Sequence, residues 1–199
     1  MSPRPSTYSR EEILTRALTS VLARGPQASL ADIGEDVGLT GARIGQLFGS
    51  KEGLFVAVAR HFGERSRARL DAAMRLDAPP LERLVEGLAE IASSYVRPDE
   101  FPNVVHLAFS MAEDAEYARL VADYETLHDG FIRSCLREAI KRGDLHGAKL
   151  DDLVESVIVV ANGVYLTYVL RRDRSIDATL RAQLAALLRP YLAEAVARR

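Results

Sequence analysis

The sequence has no tryptophan, a single cysteine and almost no excess of charge of either sign. One cysteine, Cys135, excludes an internal disulfide and a cysteine-rich zinc site, and fits a reducing compartment. The 26 basic and 28 acidic side chains leave a formal charge of −2, so the chain cannot coat nucleic acid through bulk charge. Any contact with DNA has to be local. No apolar run is long enough to cross a bilayer. The most lipid-like stretch, Val157 to Leu170, is 14 residues long and is interrupted by Asn162, Gly163 and Thr167, where a membrane helix needs roughly 20. The opening MSPRPSTYSR has no apolar segment of the secretory kind. Together these absences point to the cytoplasm and to no membrane partner.

Catalytic signatures are missing too. His61, His106, His128 and His146 show no HExxH spacing, and there is no glycine-rich phosphate loop, G-x-S-x-G elbow or cysteine pair. Asp151-Asp152 and Glu113-Asp114 read as acidic helix starts. His128 and Cys135 lie seven apart on one helix face, but two ligands rarely suffice for a metal site, and a core cysteine beside a satisfied histidine accounts for them. The expectation is a protein without enzymatic activity, metal or cofactor.

What the sequence does have is helical periodicity over nearly its whole length. With 48% hydrophobic residues in 199, it can bury a real core. Strand-like alternation, internal repeats and low-complexity tracts are absent, so the class is all-α with about nine helices. Residues 1–8 are Pro-rich and polar, a tail in which Arg4 stands where an arm would reach an adjacent groove. Ser9 and Glu12 form a capping box ahead of Ile13, Leu14, Ala17, Leu18, Val21 and Leu22, a first helix that ends at Gly25-Pro26.

From Ser29 to Phe55 the pattern is two short helices and a tight turn feeding a third helix. Ser29 stands at an N-cap with Asp32 three residues on, Ile33 and Val37 form one stripe, and Gly38 supplies the left-handed stop. Thr40 caps the next helix, with Ile44 and Phe48 inward and Thr40, Gly41, Arg43 and Gln46 outward. Gly49 breaks the chain, and Ser50 caps a long helix that begins with Lys51 and Glu52 and runs to Met74. This is the outline of a helix-turn-helix, completed to a three-helix head by the first helix.

These residues resemble the DNA-binding domain of TetR-family transcriptional regulators. The run Phe48-Gly49-Ser50-Lys51-Glu52 followed by Leu54-Phe55 is similar to the family's junction between recognition helix and fourth helix. Ser29-Leu30-Ala31-Asp32-Ile33 looks like its second-helix opening. The resemblance covers the first quarter to third of the chain; the rest agrees in length and helical pattern. It implies a DNA-binding domain over residues 1–55 and a dimerisation and effector domain over residues 56–199. It further implies a homodimer formed by the last two helices, a palindromic double-stranded operator, and a small-molecule pocket in the C-terminal part. The function it implies is that of a ligand-responsive repressor. The alternative left open is a ligand-binding helical bundle whose DNA binding is weakened or lost.

Arg43 is the candidate for base contact, since a guanidinium can pair bidentately with guanine in the major groove. Gln46 and Thr40 can reach a base edge or phosphate, Lys51 a phosphate, and Ser29, Gly41 and Gly45 complete the expected DNA-binding face. Gly45 stands where the family usually has a phosphate-contacting tyrosine, Gly41 replaces an often polar residue, and Leu47 lacks the usual polar or histidine side chain. Either backbone approaches DNA closely on that face, or DNA binding has decayed. The charge of residues 1–55 is six basic against six acidic, a neutral module.

Beyond Pro79-Pro80 the pattern continues as a fifth helix to Arg97-Pro98 and a short helix around Val104 to Met111, so apolar that it is expected to be surrounded by others. Helices from about 115 to 142, 151 to 172 and 176 to 196 follow, with Pro190 kinking or restarting the last. Tyr95, His106, Phe109, Met111, Tyr124, His128, Phe131, Asn162, Tyr165 and Tyr168 are the candidate lining of a mostly apolar effector pocket with a few polar groups. Val157 to Leu170 is apolar nearly all round, so both sides should be covered. On that basis Val164→Glu or Leu184→Glu is expected to leave monomer or aggregate.

Overall fold

The computed structural model describes residues 8–95, 101–171 and 175–193; of residues 92–95, 101–102, 104–105 and 168–171 the backbone alone is described. The expected arm with Arg4 and the end of the fifth helix at Arg97-Pro98 lie outside the described residues. Within them the chain is all-α: α1 Arg10–Arg24, α2 Leu30–Val37, α3 Gly41–Phe48, α4 Lys51–Met74, α5 Pro80–Tyr95, α6 Phe101–Ser110, α7 Ala115–Arg142, α8 Leu150–Arg171 and α9 Ile176–Leu188. Local chemistry sets the boundaries as the sequence implies. Ser9 and Ser29 each make a reciprocal capping box, Thr40 accepts from the Arg43 amide, and Ser50 accepts from the Gly53 amide.

The chain packs as two compact units, Met1–Arg65 with Asp99–Asp123 and Ser66–Pro98 with Tyr124–Arg199. In the first, Ile13, Leu18 and Val21 of α1 meet Ile33 and Val37 of α2, Ile44 of α3 and Leu54, Phe55 and Val58 of α4. Leu107 of α6, Met111 just after it and Tyr117 of α7 belong to the same core, so this unit draws on more of the chain than the three-helix head alone. Asn103 explains part of this: its Nδ2 donates to the carbonyls of Leu22 (2.8 Å) and Ala23 (2.9 Å). A helix leaves its last carbonyls without intrahelical donors, and here a residue some 80 positions away satisfies two of them. Ser20 and Arg24 of α1 bind Asp36 of α2, and Thr15 meets the buried His61 of α4 at 3.1 Å.

The second unit is built on Leu70 of α4, Leu84, Leu88 and Ile91 of α5, Phe131, Ile132 and Leu136 of α7, Val154, Val157 and Val164 of α8, and Leu180, Leu184 and Leu188 of α9. Each such aliphatic side chain removed from water stabilises the fold by about 1.5–3 kcal/mol. Arg181 of α9 makes a two-pronged pair with Glu86 of α5, at 2.8 and 2.9 Å. Val164 (6% exposed) and Leu184 (0%) lie inside this core, not on an outer face. The substitutions expected to separate a dimer would therefore attack the unit itself. The helix expected through residue 196 ends at Leu188, because Pro190 cannot continue it. A 3-10 turn, Arg189–Tyr191, follows, and the chain pairs back on the α7–α8 loop through His146 N to Tyr191 O (2.8 Å) and Ala193 N to Asp144 O (3.1 Å).

Candidate nucleic-acid interface

The turn between α2 and α3 is closed by Gly38, left-handed at φ 76°, and by the Leu39 amide, which reaches back to the Gly34 carbonyl at 2.7 Å. Across this turn the two helices touch through glycine. A Cβ on Gly34 would stand 2.8 Å from the amide nitrogen of Gly41, and one on Gly41 would stand 2.9 Å from the Cα and amide nitrogen of Ala31. Gly41 therefore serves the α2–α3 packing, a reason for glycine that does not involve DNA. Gly45 differs. The nearest atom to its Cβ position is Leu30 Cδ1 at 3.7 Å, an ordinary contact, so this face has room for a side chain.

Ile44, fully buried, anchors α3 from below. Its turn neighbours Thr40, Arg43 and Gln46 are all exposed and lie on one side of the helix, Arg43 Nη1 donating to Gln46 Oε1 at 3.2 Å. An exposed bond of this kind is worth little, so both side chains can be redirected to a ligand at small cost. Lys51 is half-buried at the start of α4, its Nζ 5.5 Å from the centre of the Phe55 ring. Ser29 is committed to the α2 cap: its Oγ accepts from the Asp32 amide and donates to Asp32 Oδ2.

Sequence reasoning passed over Arg10. Its guanidinium lies over the Phe48 ring at 5.0 Å and donates to the Leu47 carbonyl at 3.5 Å, setting a positive charge against the C-terminal end of α3. No periodicity or motif reveals a contact 37 residues apart. Arg16 similarly stacks on Tyr8 at 4.0 Å. Around α2, Asp36 holds its proton so weakly that its pKa is lowered to about 2, first by the Arg24 hydrogen bonds at 2.6 and 2.8 Å and then by Ser20. The result is a short helix on a firm support, presenting Thr40, Arg43 and Gln46 outward, of a width that the major groove of B-DNA admits.

The expected pocket residues divide. His106 and Phe109, on α6, belong to the first unit; both are exposed, Phe109 by 76%. The expectation that this helix is surrounded is thereby corrected: it buries Leu107, with Met111 buried just past its end, and turns Phe109 to solvent. Asn162 of α8 is also exposed. Tyr95 closes α5, but its side chain, like that of Tyr168, lies outside the described residues. Four residues of the second unit make two pairs of contacts, one on α7 and one against α5. Tyr124, His128 and Phe131 follow one another along one face of α7, with the Tyr124 and His128 rings 4.2 Å apart. Phe131 fills the space left open at Gly87 of α5, and Tyr165 of α8 reaches the carbonyl of the next residue, Leu88, at 3.4 Å. Burial pushes the Tyr165 phenol up to about 12 and the His128 imidazole down to about 4, so both are uncharged at neutral pH.

On α8 a stripe of Val159 (63% exposed), Gly163 and Leu166 (54% exposed) faces outward, and on α9 the small residues Ala182, Ala185 and Ala186 do the same. Among the described residues no helix is long and apolar enough to cross a membrane, and no group of three or more His, Cys, Asp or Glu side chains is arranged to hold a metal ion.

No family model matches the sequence, and no curated protein matches it. Solved structures match over nearly the full chain. A protein from Saccharomonospora viridis described as a transcriptional regulator, in complex with choline, superposes with a TM-score of 0.80 at 20% identity, covering 93% of this chain and 98% of that one. A TetR transcription regulator from Haloarcula marismortui gives 0.73 at 16% identity, over 92% and 97%. The transcriptional regulator FadR from Bacillus subtilis, in complex with stearoyl-CoA, gives 0.69 at 14% identity, over 90% and 98%. The fold of this chain is the one these regulators share.

Proposed function

We propose, from the fold held in common with TetR-family regulators, that this protein is a DNA-binding transcriptional regulator acting in the cytoplasm as a ligand-responsive repressor. DNA contact falls to residues within 1–55, and dimerisation and effector binding to residues within 56–199. The observation that carries the reading is α3 itself: anchored by Ile44 and locked to α2 through Gly34 and Gly41, it leaves Thr40, Arg43 and Gln46 exposed on one side.

Two copies associate through α8 and α9, whose outward residues Val159, Gly163, Leu166, Ala182, Ala185 and Ala186 are apolar or small and form a self-complementary face. Such a dimer would present two α3 helices to half-sites about 34–36 Å apart, or a multiple of that, on a palindromic operator. A small, largely apolar effector, bound among Tyr124, His128, Phe131 and Tyr165, favours a conformer whose heads no longer match the half-sites, and DNA is released by population shift.

Selection of bound sequences from random duplex DNA tests this. An enriched inverted repeat is the expected result. Absence of enrichment would favour a ligand-binding bundle without a DNA role, the reading to which the neutral charge of residues 1–55 lends support.

A further inference from the structure

Among the described residues, three buried polar side-chain atoms have no hydrogen-bond partner: Ser66 Oγ, Arg83 Nε and His128 Nε2. Arg83 is otherwise engaged, with Nη1 on the Met74 carbonyl and Nη2 on Glu138. Ser66 is a hydroxyl within helix α4. His128 is the exceptional one, an imidazole nitrogen shut away from water on the aromatic face of α7. A buried acceptor or donor left unpaired costs stability, so native structures retain one mainly where something else uses it.

Given the effector reading above, we infer that His128 Nε2 is the polar contact of the ligand site. Its ligand is a largely apolar, uncharged molecule carrying one hydroxyl, carbonyl or amide group. The surroundings define the class. The Tyr124 ring lies tilted against the imidazole, centres 4.2 Å apart, Phe131 follows one turn on, and Phe131 and Tyr165 converge on Gly87 and Leu88 of α5. This face offers aromatic surface and, at His128 Nε2, an unpaired hydrogen-bonding nitrogen. A neutral imidazole nitrogen can donate or accept according to its tautomer, so it suits a hydroxyl, a carbonyl or an amide.

Charged ligands fit poorly. A carboxylate would give up its hydration for a single neutral N–H, with no positive charge to compensate it, because burial holds the imidazole uncharged by lowering its pKa to about 4. A cation would need an anion: Asp129, the next residue in the chain, is already held by Arg133, which also binds Asp151, and Glu125, one turn earlier, is exposed to solvent. A ligand reaches Nε2 by displacing neighbouring side chains, and the hydrogen bond it restores offsets part of that cost.

Four probes share one ring and differ in one group: toluene, benzyl alcohol, benzoate and benzylammonium. Melting temperatures of the full chain at millimolar probe are measured for the wild type, His128→Leu and His128→Gln. Benzyl alcohol should stabilise the wild type more than toluene does, and the two ions should have no effect. That preference should vanish in His128→Leu and return in His128→Gln, which keeps a hydrogen-bonding group. Without any probe, His128→Leu should melt higher than the wild type, since the orphaned nitrogen is gone. The inference is overturned by a lower melting temperature for His128→Leu alone, by equal stabilisation from toluene or from either ion, or by no stabilisation from any of the four. None of these measurements involves DNA, so the repressor reading stands or falls separately through the selection experiment.

Discussion

Gly34 and Gly41, seven residues apart across a tight turn, fix how closely α2 approaches α3: a Cβ on the first would lie 2.8 Å from the amide nitrogen of the second. Backbone cannot yield as a flexible side-chain tip can. Alanine is the better helix former by about 1 kcal/mol, but forcing apart two packed helices costs typically 1–3 kcal/mol. Gly34→Ala and Gly41→Ala should therefore lower stability in chemical denaturation. Gly45→Ala, whose Cβ meets only Leu30 Cδ1 at 3.7 Å, should raise it by up to about 1 kcal/mol. Equal effects at all three positions would contradict this packing account.

The outward faces of α8 and α9 give a second prediction. Val159→Glu and Leu166→Glu place charge on exposed apolar positions and should yield folded monomers in sedimentation, with helical signal and melting temperature little changed. Val164→Glu and Leu184→Glu bury a charge in the core of the second unit and should instead unfold it, since an unpaired buried charge costs several kcal/mol. A wild type that sediments as a monomer at micromolar concentration would remove the paired-head mechanism.

These two pairs also mark how far the sequence could be read. Helix starts at Ser9, Ser29, Thr40 and Ser50 were legible, because capping depends on residues three apart, and so was the stop at Gly38. The face of α8 was not. With Val157, Val159, Val164 and Leu166 all apolar, periodicity cannot tell a core position from an outward one, and the packing buries Val157 and Val164 while exposing the other two. Phe109 misled for the same reason, since composition carries no direction. The packing reason for Gly41 was not legible either, because it lies in Ala31, ten residues earlier on another helix. Arg10 on Leu47 and Asn103 on Leu22 and Ala23 join residues 37 or more apart, a range at which no local pattern speaks.

Asp36 gives the acid response of the head. Its folded pKa, about 2, lies below the ordinary carboxylate value, so its contribution is fully present above about pH 4 and is lost as pH falls through about 2. Because Arg24 and Asp36 are partly solvent-exposed, the contribution at neutral pH is about 1 kcal/mol. Asp36→Asn should show that deficit against the wild type in denaturation at pH 7, and the gap should narrow as pH is lowered from 4 toward 2. A constant gap across that range would mean that the Arg24 and Ser20 contacts do not stabilise the head.

Gly45 has space for a side chain, its Cβ position meeting only Leu30 Cδ1 at 3.7 Å. Gly45→Tyr should strengthen binding to all duplexes, by adding a phosphate hydrogen bond and replacing a poor helix former. A neutral phenol releases no counterion, so the slope of affinity against salt should be nearly unchanged. Loss of binding would show that DNA backbone approaches the glycine directly.

The central claim is that exposed side chains of α3 read DNA sequence, and Arg43 tests it most directly. Affinities of the wild type and Arg43→Ala are compared on the duplex enriched by selection and on a scrambled duplex, across a salt series. The account predicts that Arg43→Ala costs about 1–3 kcal/mol on the selected duplex, relaxes preference at one base position and has little effect on the scrambled one. Equal losses on both duplexes would reduce Arg43 to a phosphate contact, and no loss on either would contradict the account.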